Sequence, residues 1–346
     1  MAQQANHPLP NGYRLEEYTI ERQLSLGGFS IVYLAADADG RQVAIKEYLP
    51  NSLALRGEGE TRPNIDAEHL GAFRYGMKCF FEEGRSLARL SHPNVIRVLN
   101  FFRANDTVYM VMPYEEGRTL QEYIQKHHGQ ISERFIRGVF TRMLNGLREV
   151  HAHKLLHLDL KPSNIYLRND NTPVLIDFGA ARQTLASDQP ILKPMYTPGF
   201  ASPEHYGKRD NLGPWSDIYS VGAAMYACLA GSSPPAADER LKEDHLTPAM
   251  QRWAGQYSER LLEIVDWCLN LDHLCRPQSV FSLQKALVET VIPPKPNRHP
   301  GNWLGRFVEK LNKPILRDSR SIRKAASAAA RTTRTGRPTA IRATRC

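Results

Sequence analysis

Apolar residues occur in two patterns along the chain, strand-like near its start and helix-like later. From Leu15, the apolar and β-branched residues of YTIERQLSLGGFSIVYLAAD predict two strands around a tight turn, and TVYMVM at 107–112 predicts another strand. Helical spacing marks FFEEGRSLARLSHPNVIRV, Leu120–Lys126 and Ser132–His151. The pattern therefore predicts antiparallel strands and one helix first, and mainly helices afterwards.

A polar loop between apolar runs marks the stretch 155–179, LLHLDLKPSNIYLRNDNTPVLIDFG. Its IYL and VLI runs are β-prone and flank the turn-like RNDNTP, so they predict a hairpin that brings Asn164 and Asp177 to one mouth. An amide and a carboxylate oxygen suit Mg²⁺, which takes one or two protein ligands and otherwise uses water and phosphate. On the same loop, Asp159 could orient a hydroxyl group and Lys161 could balance phosphate charge.

The motif H-x-D-L-K-P-x-N at 157–164, followed by D-F-G at 177–179, resembles the catalytic loop and the metal loop of protein kinases. The resemblance implies that Asp159 orients the substrate hydroxyl and accepts its proton, and that Lys161 steadies the γ-phosphate of ATP. It implies Asn164 and Asp177 as the ligands of Mg²⁺. Phosphoryl transfer needs mainly positioning and charge neutralisation, and the sequence supplies each charge that this requires.

One position departs from the family pattern, because Leu158 stands where kinases usually have arginine. In many kinases that arginine holds a phosphate on the activation loop. Leucine cannot do so, and we therefore expect activity that does not strictly depend on phosphorylation of Thr184 or Ser187.

Several further residues have structural roles in the resemblance. His157 is expected to pack under Phe178, and Asp217 in the W-S-D segment is expected to tie down the catalytic loop. Glu204 of S-P-E and Arg276 of C-R-P match the buried ion pair of the family.

The V-A-I-K run at 43–46 resembles the kinase strand whose lysine pairs the α- and β-phosphates and a helix glutamate. An inward-facing lysine needs a partner, because an unpaired buried charge is costly. Glu83 is the predicted partner of Lys46, since Glu83, Leu87 and Leu90 share one helical face.

The interval between these two residues is long for kinases, which marks 47–69 as an insertion. Its E-Y-x-P-x-x-L-A-x-R motif resembles that of a group of bacterial kinases. A structural wrap and a regulatory element are the two open interpretations.

The predicted turn near 25–30 occupies the place of the kinase G-x-G-x-x-G loop, which covers the ATP phosphates. Aligned on Val32, serine replaces the first and third glycines, as Ser25 and Ser30. If these positions required a positive φ, each serine would cost ~1–2 kcal/mol. ATP binding would then weaken about tenfold.

The resemblance also places an adenine-binding hinge after the strand at 107–112, with Met112 as the pocket-gating residue. Pro113 lacks an N–H but keeps the carbonyl that adenine binding uses, and Glu115 supplies an N–H. The nucleotide-binding residues implied in this way are Leu24, Gly27, Gly28, Val32, Ala44, Lys46, Met112, Pro113, Glu115 and Tyr166; the catalytic residues are Asp159, Lys161, Lys46 and Glu83.

Charge separates a nearly neutral body from a basic tail. The 346 residues carry a net charge of +9. Residues 295–346 hold 14 Lys and Arg against two acids, a net charge of +12. Residues 1–294 hold the other 31 Lys and Arg against 34 acids, a net charge of −3. A short amphipathic helix is predicted near 302–313 within a disordered tail, 293–346. The tail could be a solvated segment or could contact an anionic membrane surface or nucleic acid.

The start of the chain is polar and lacks an apolar signal core, and residues 1–12 are predicted to be disordered. The longest apolar run, 221–230, is far shorter than the ~20 residues that cross a bilayer. The five cysteines show no C-x-x-C pairing and suit a reducing compartment. We therefore expect a cytoplasmic protein.

Together these features predict an α+β, bilobal protein-kinase fold over 13–292, with a small antiparallel lobe and its main helix at about 13–112 and a larger, mainly helical lobe at about 116–292. The expected activity is ATP-dependent phosphorylation of serine or threonine in proteins, with autophosphorylation, for example at Ser327 or Thr332. A pseudokinase scaffold that binds nucleotide is the alternative. A small-molecule kinase is disfavoured by the Y-T-P-G-F-A-S-P-E segment, which includes Thr197, and by the W-S-D helix.

Overall fold

The computed structural model describes residues 6–128, 130–178, 196–207 and 211–288. All of these ranges belong to one unit of the chain, Met1–Thr290. Thr184, Ser187 and the predicted tail at 293–346 lie outside the described residues.

A six-stranded antiparallel sheet forms the smaller lobe. Its strands are β1 (Arg14–Leu15), β2 (Tyr18–Leu26), β3 (Ser30–Ala36), β4 (Gln42–Tyr48), β5 (Asn100–Ala104) and β6 (Thr107–Pro113). They are arranged in the order β1-β2-β3-β4-β6-β5, and the predicted tight turn joins β2 and β3.

One long helix, α1 (Leu70–Leu87), accompanies this sheet, and its buried residues recur every three or four positions from Phe73 to Leu87. The predicted bounds of this helix were wrong, because it starts well before Phe80 and does not continue to 98. Pro93 disfavours helical backbone at the residue before it, so a helix through this region is unfavourable.

A second, three-stranded sheet consists of β7 (Gly117–Thr119), β8 (Ile165–Arg168) and β9 (Pro173–Leu175). Strands β8 and β9 form the antiparallel hairpin that the sequence predicts. At Gly117 a Cβ atom would lie 2.0 Å from the Leu167 carbonyl oxygen, so only glycine permits this approach of β7 to β8.

Helices make up most of the larger lobe. They are α2 (Leu120–His127), α3 (Glu133–Ala152), α4 (Pro214–Ala230), α5 (Ala237–Arg240), α6 (Ala249–Arg252), α7 (Glu259–Cys268) and α8 (Val280–Val288). The Ser132 hydroxyl caps α3 by accepting a hydrogen bond from the Phe135 N–H. Among the described residues no helix combines the length and apolarity that a membrane crossing requires. The predicted two-lobe α+β architecture is confirmed.

The start of the chain differs from the prediction. Residues 6–12 are placed in the structure, and the side chains of Asn6 and Leu9 are buried rather than disordered.

Candidate active site

The loop between α3 and β8 is anchored by a buried aspartate of α4. The Asp217 carboxylate accepts hydrogen bonds from the backbone N–H groups of His157 and Leu158, each at 2.9 Å, and lies 2.7 Å from Nε2 of His151. Burial alone would raise the pKa of Asp217, but its hydrogen bond with His151 and the neighbouring charges hold the pKa below its usual value. Asp217 therefore fixes the loop in the predicted way.

His157 packs rather than reaching into the cleft. Its ring stacks on Phe178 with the centroids 4.4 Å apart, and the side chain is fully buried. This contact is the predicted one.

The polar groups of the catalytic loop converge on the Asp159 carboxylate. Lys161 Nζ lies 2.9 Å from Asp159 Oδ2 and donates to Thr197 Oγ1 at 2.8 Å. The Thr197 hydroxyl donates to Asp159 Oδ1 at 3.2 Å, and Asn164 Nδ2 donates to Asp159 Oδ2 at 3.0 Å. A lysine, an amide and a hydroxyl thus surround one carboxylate.

The predicted mouth of the β8–β9 hairpin also forms. Asn164 Nδ2 donates to the Asp177 carbonyl at 3.3 Å, and the Asp177 carboxylate forms an ion pair with Lys46 of β4. The amide nitrogen of Asn164 is used in these bonds, and its amide oxygen accepts a long hydrogen bond, 3.5 Å, from Ser163 Oγ. That amide oxygen and the Asp177 carboxylate form the oxygen pair that a cation would use. This donor set fits Mg²⁺.

Glu83 takes a different place from the predicted one. Within the described residues, the ion pair of Lys46 is with Asp177, and the Lys46–Glu83 pair does not form. The Phe80 ring of α1 faces Lys46 instead, with Nζ 5.5 Å from its centroid. Glu83, the next turn along, lines a cavity of about 340 Å³ that Phe178 also borders. Helix α1 thus presents Phe80, rather than Glu83, to Lys46.

The predicted adenine-side residues share one face of the sheet. Ala44 and Lys46 are two positions apart on β4, Ala44 is paired with Met112, and Lys46 is paired with Val32. Ala44, Met112 and Val32 are only half-buried within strands that are otherwise largely buried. The face beside Lys46 is therefore partly exposed at these three positions, unlike most other positions of these strands. Leu24, on β2, is half-buried as well.

The segment after β6 is held by β8. Pro113 ends β6 opposite Val43. The Tyr166 hydroxyl donates to the Glu115 carbonyl at 2.9 Å, and Arg168 binds the Glu115 carboxylate at 2.6 and 2.8 Å. The part played by Arg168 was not apparent from the sequence.

The turn at 25–30 does not contain the backbone strain that a positive φ at Ser25 or Ser30 would cause. None of the residues Ser25, Gly27, Gly28 and Ser30 has a positive φ. The turn closes with a hydrogen bond from the Gly27 N–H to the Ser30 carbonyl at 2.9 Å. The condition for a tenfold loss of ATP affinity is therefore not met.

The predicted ion pair between Glu204 and Arg276 is present, with distances of 2.9 and 3.1 Å. Both side chains are buried. Burial alone would raise the pKa of Glu204, but the hydrogen bonds and charge of Arg276 hold it below its usual value.

His205 is a site residue that the sequence analysis missed. Its Nδ1 accepts from the Ser202 N–H at 3.2 Å, and its Nε2 lies 3.3 Å from the Leu158 carbonyl. Leu158 has a left-handed backbone with φ of 60°, which costs a non-glycine residue about 1 kcal/mol or more. The residue is thus held from both sides, at its N–H by Asp217 and at its carbonyl by His205. The available signal was the histidine directly after S-P-E.

Acidification should destabilise the fold through two buried histidines. Burial lowers the pKa of His157 and of His205 below the ordinary value of 6.5. Below about pH 6.5 the unfolded chain takes up protons that the folded chain does not. The free energy of unfolding should fall by up to ~1.4 kcal/mol per pH unit for each histidine, until the pH reaches the folded pKa.

Urea unfolding between about pH 7.5 and about pH 5.5 tests this expectation. His205→Gln, which keeps a donor and an acceptor but does not titrate, should show a weaker dependence. An equal or greater stability of the wild type at the lower pH would contradict it.

Comparisons with known proteins agree with this geometry. The family model described as protein kinase domain matches residues 18–288. Serine/threonine-protein kinase B of Synechocystis sp. is 31% identical over 228 residues, which are 62% of this chain and 37% of that protein. Serine/threonine-protein kinase Nek2 of Homo sapiens is 32% identical over 226 residues, 62% of this chain and 50% of that protein. The chain spans between 21% and 53% of the length of such relatives.

The solved structure described as PpkA-294 apo form is similar over most of the chain. Its TM-score is 0.74 at 36% sequence identity, covering 81% of this chain and 99% of that one. The kinase domain of PknI from Mycobacterium tuberculosis has the same fold, with a TM-score of 0.61 at 19% identity.

Proposed function

Because this chain belongs to the protein kinase family, we propose that it transfers the γ-phosphate of ATP to serine or threonine hydroxyl groups of proteins, with Mg²⁺ as its cofactor. One observation carries the proposal. The groups of Lys46, Asp177, Asn164 and Asp159 form an unbroken chain of contacts from the small lobe to the catalytic loop.

In the proposed reaction each residue acts at a stated place. Asp159 accepts the proton of the substrate hydroxyl as that oxygen bonds to the γ-phosphorus, and the bond from the γ-phosphorus to the β–γ bridging oxygen breaks to release ADP. Lys161, next to Asp159, contacts the transferred phosphate, and Lys46 contacts the α- and β-phosphates. Asn164 and Asp177 would hold Mg²⁺, which would supply charge neutralisation of the phosphates when bound.

The contacts of Thr197 support an alcohol of serine or threonine as the acceptor. Its hydroxyl donates to Asp159 and accepts from Lys161, and its neighbour in the chain, Tyr196, packs on Tyr206. A hydroxyl group is therefore accommodated between the proposed base and the proposed phosphate-binding lysine.

We assign the nucleotide to the half-buried face beside Lys46. Adenine would use the Pro113 carbonyl and the Glu115 N–H, and the contacts of Tyr166 and Arg168 keep Glu115 in place for this. The remaining residues assigned to the nucleotide are Leu24, Gly27, Gly28, Val32, Ala44 and Met112. Glu83 is assigned to the catalytic set only in a state in which α1 brings it to Lys46.

A nucleotide-binding pseudokinase scaffold is the second candidate. Two observations favour it: Leu158 replaces the usual arginine, and Lys46 pairs with Asp177 instead of Glu83. Intact Asp159, Asn164 and Asp177 favour the enzyme.

Two measurements separate the candidates. A thermal shift on adding ATP, with and without Mg²⁺, reports nucleotide binding, and transfer of labelled γ-phosphate to a serine-containing protein reports activity. The enzyme should do both. Binding without transfer would establish the scaffold, and the absence of both would exclude each of them.

Activity should not depend strictly on phosphorylation of the segment that contains Thr184 and Ser187. The loop residue Leu158 is already held by Asp217 and His205, without any phosphate. Phosphatase treatment of the purified protein should therefore leave the rate of transfer within about threefold, and a collapse of the rate would refute the idea. The treated protein is checked by mass spectrometry, and the phosphatase is removed before the assay.

Several sequence-based expectations stay predictions. These are the domain bounds 13–292, the cytoplasmic location, and the membrane or nucleic-acid contacts of the basic tail at 293–346. Autophosphorylation at Ser327 or Thr332 is also one of them, and mass spectrometry after incubation with ATP would detect it.

A further inference from the structure

A buried polar network lies on the face of the small sheet opposite to Lys46. Glu47 is the next residue on β4, so its side chain points to the other face. Its carboxylate binds Arg56 at 2.6 and 2.7 Å and accepts from the hydroxyls of Tyr33 and Tyr109, each at 2.6 Å. All four side chains are buried. Glu47 and Arg56 are the first and last residues of the E-Y-x-P-x-x-L-A-x-R motif.

The start of the chain covers this network. Asn6 makes four hydrogen bonds: Nδ2 donates to Asn51 Oδ1 at 2.7 Å and to the carbonyls of Leu49 and Ala54, and Oδ1 accepts from the Arg56 N–H at 2.6 Å. The carbonyl of His7, next in the chain, accepts from Arg56 Nε at 2.8 Å. Asn6 thus joins the motif residues to one another and to the N-terminal segment.

The same motif also holds the turn proposed to cover the ATP phosphates. The Leu49 N–H donates to the Phe29 carbonyl at 3.1 Å, and the Asn51 N–H donates to the Gly28 carbonyl at 2.9 Å. The Phe29 ring packs edge-on against Tyr48 with the centroids 5.2 Å apart. The turn is therefore bonded at its tip to the segment that Asn6 holds.

We propose that the motif at 47–56 and Asn6 form a brace that keeps the 27–30 turn and the Lys46 strand in the geometry that binds ATP phosphates. This inference rests on the proposed function, because it assigns a role towards the same nucleotide. Asn6 and Arg56 are positioning residues, since they act through the backbone of the turn and of β4. Because the brace already orders the turn, nucleotide binding loses less conformational entropy than it would with a mobile turn. Of the two interpretations of the 47–69 insertion, the brace corresponds to the structural wrap, with an added positioning role.

The brace predicts a separation between ATP binding and the rate of transfer. Asn6→Ala removes the side-chain bonds that hold the motif but leaves the catalytic loop untouched. The KM for ATP should rise about threefold to tenfold, as expected for the loss of one or two net hydrogen bonds, while kcat at saturating ATP stays within about twofold. Hydrogen exchange at the amides of Leu49 and Asn51 should become faster.

Asn100→Ala is the matched control, because it removes an asparagine amide of the same lobe that lies away from the motif. The Asn100 amide donates to Glu17 and Tyr18 and accepts from the Phe101 N–H. It should change neither the KM for ATP nor these exchange rates. Asn51→Ala removes a single side-chain bond to Asn6 and should give a smaller change of the same kind. If circular dichroism shows that the Asn6 variant is unfolded, the Asn51 variant decides.

The outcomes distinguish this inference from the proposed function. If the wild type transfers no phosphate, the proposed function fails, while hydrogen exchange still tests the brace. If the wild type is active and a folded variant keeps the KM for ATP and both exchange rates of the wild type, the brace is overturned. A fall in kcat with an unchanged KM for ATP would also overturn it.

Discussion

Replacing Asp159 by asparagine should lower the rate of phosphate transfer by about 10²–10⁴-fold, the range over which a general base contributes. Asparagine has nearly the same shape but cannot accept the proton of the substrate hydroxyl. Asp159 is not an assigned nucleotide ligand, so ATP binding, measured by thermal shift, should persist. Initial rates at saturating ATP measure the effect on transfer.

Asp170→Asn is the matched control for this substitution. Asp170 lies on the turn of the β8–β9 hairpin, is exposed, and its bonds to Thr172 are local. The Asp170→Asn variant loses the same charge from the same hairpin region, and its rate of phosphate transfer should stay within about twofold of the wild-type rate. An Asp159→Asn variant that retained a tenth or more of the wild-type rate would contradict the role assigned to Asp159.

Replacing Arg276 by methionine should destabilise the fold by ~3–5 kcal/mol, the usual cost of removing one partner of a buried ion pair. The substitution leaves the Glu204 carboxylate buried without its cation. It also removes donors from the carbonyls of Asn270 and Leu271, at 2.6 and 2.9 Å. Urea unfolding at neutral pH measures the loss.

Two further variants isolate the cause. Arg41→Met removes an arginine from an exposed ion pair with Asp39 and should change the unfolding free energy by less than about 1 kcal/mol. Combining Arg276→Met with Glu204→Gln removes the stranded charge and should restore part of the stability. A loss below about 1 kcal/mol in Arg276→Met alone would contradict this account.

The parts of the site that close on a short loop could be predicted from the sequence. Asn164 and Asp177 flank one hairpin, and strand pairing brings the ends of a hairpin together whatever surrounds it. The buried pair of Glu204 and Arg276 is distant in sequence, and it was predicted from the resemblance to a family rather than from local spacing.

Other features depend on packing that local patterns do not encode. The apolar spacing around Glu83 indicates a helix, but it does not determine where α1 ends or that Phe80, rather than Glu83, lies at Lys46. The partner of Lys46 was therefore predicted incorrectly. The strain at Ser25 and Ser30 depended on a turn conformation that residue types alone leave open.

The brace and the His205 contact show a further limit. Glu47 and Arg56 were visible as motif letters, but their pairing requires that the chain fold back over the outer face of the sheet. Asn6 lies in a polar start that resembles a disordered segment by composition. His205 contacts a backbone carbonyl, that of Leu158, which no side-chain pattern identifies.

The most direct test of the central claim is a crystal structure of the chain with Mg²⁺ and a non-hydrolysable ATP analogue. We expect Mg²⁺ at about 2.1 Å from the Asn164 amide oxygen and from the Asp177 carboxylate, with the phosphates beside Lys46 and adenine at Glu115. A nucleotide bound away from Lys46, or a cation held without Asn164 and Asp177, would contradict it.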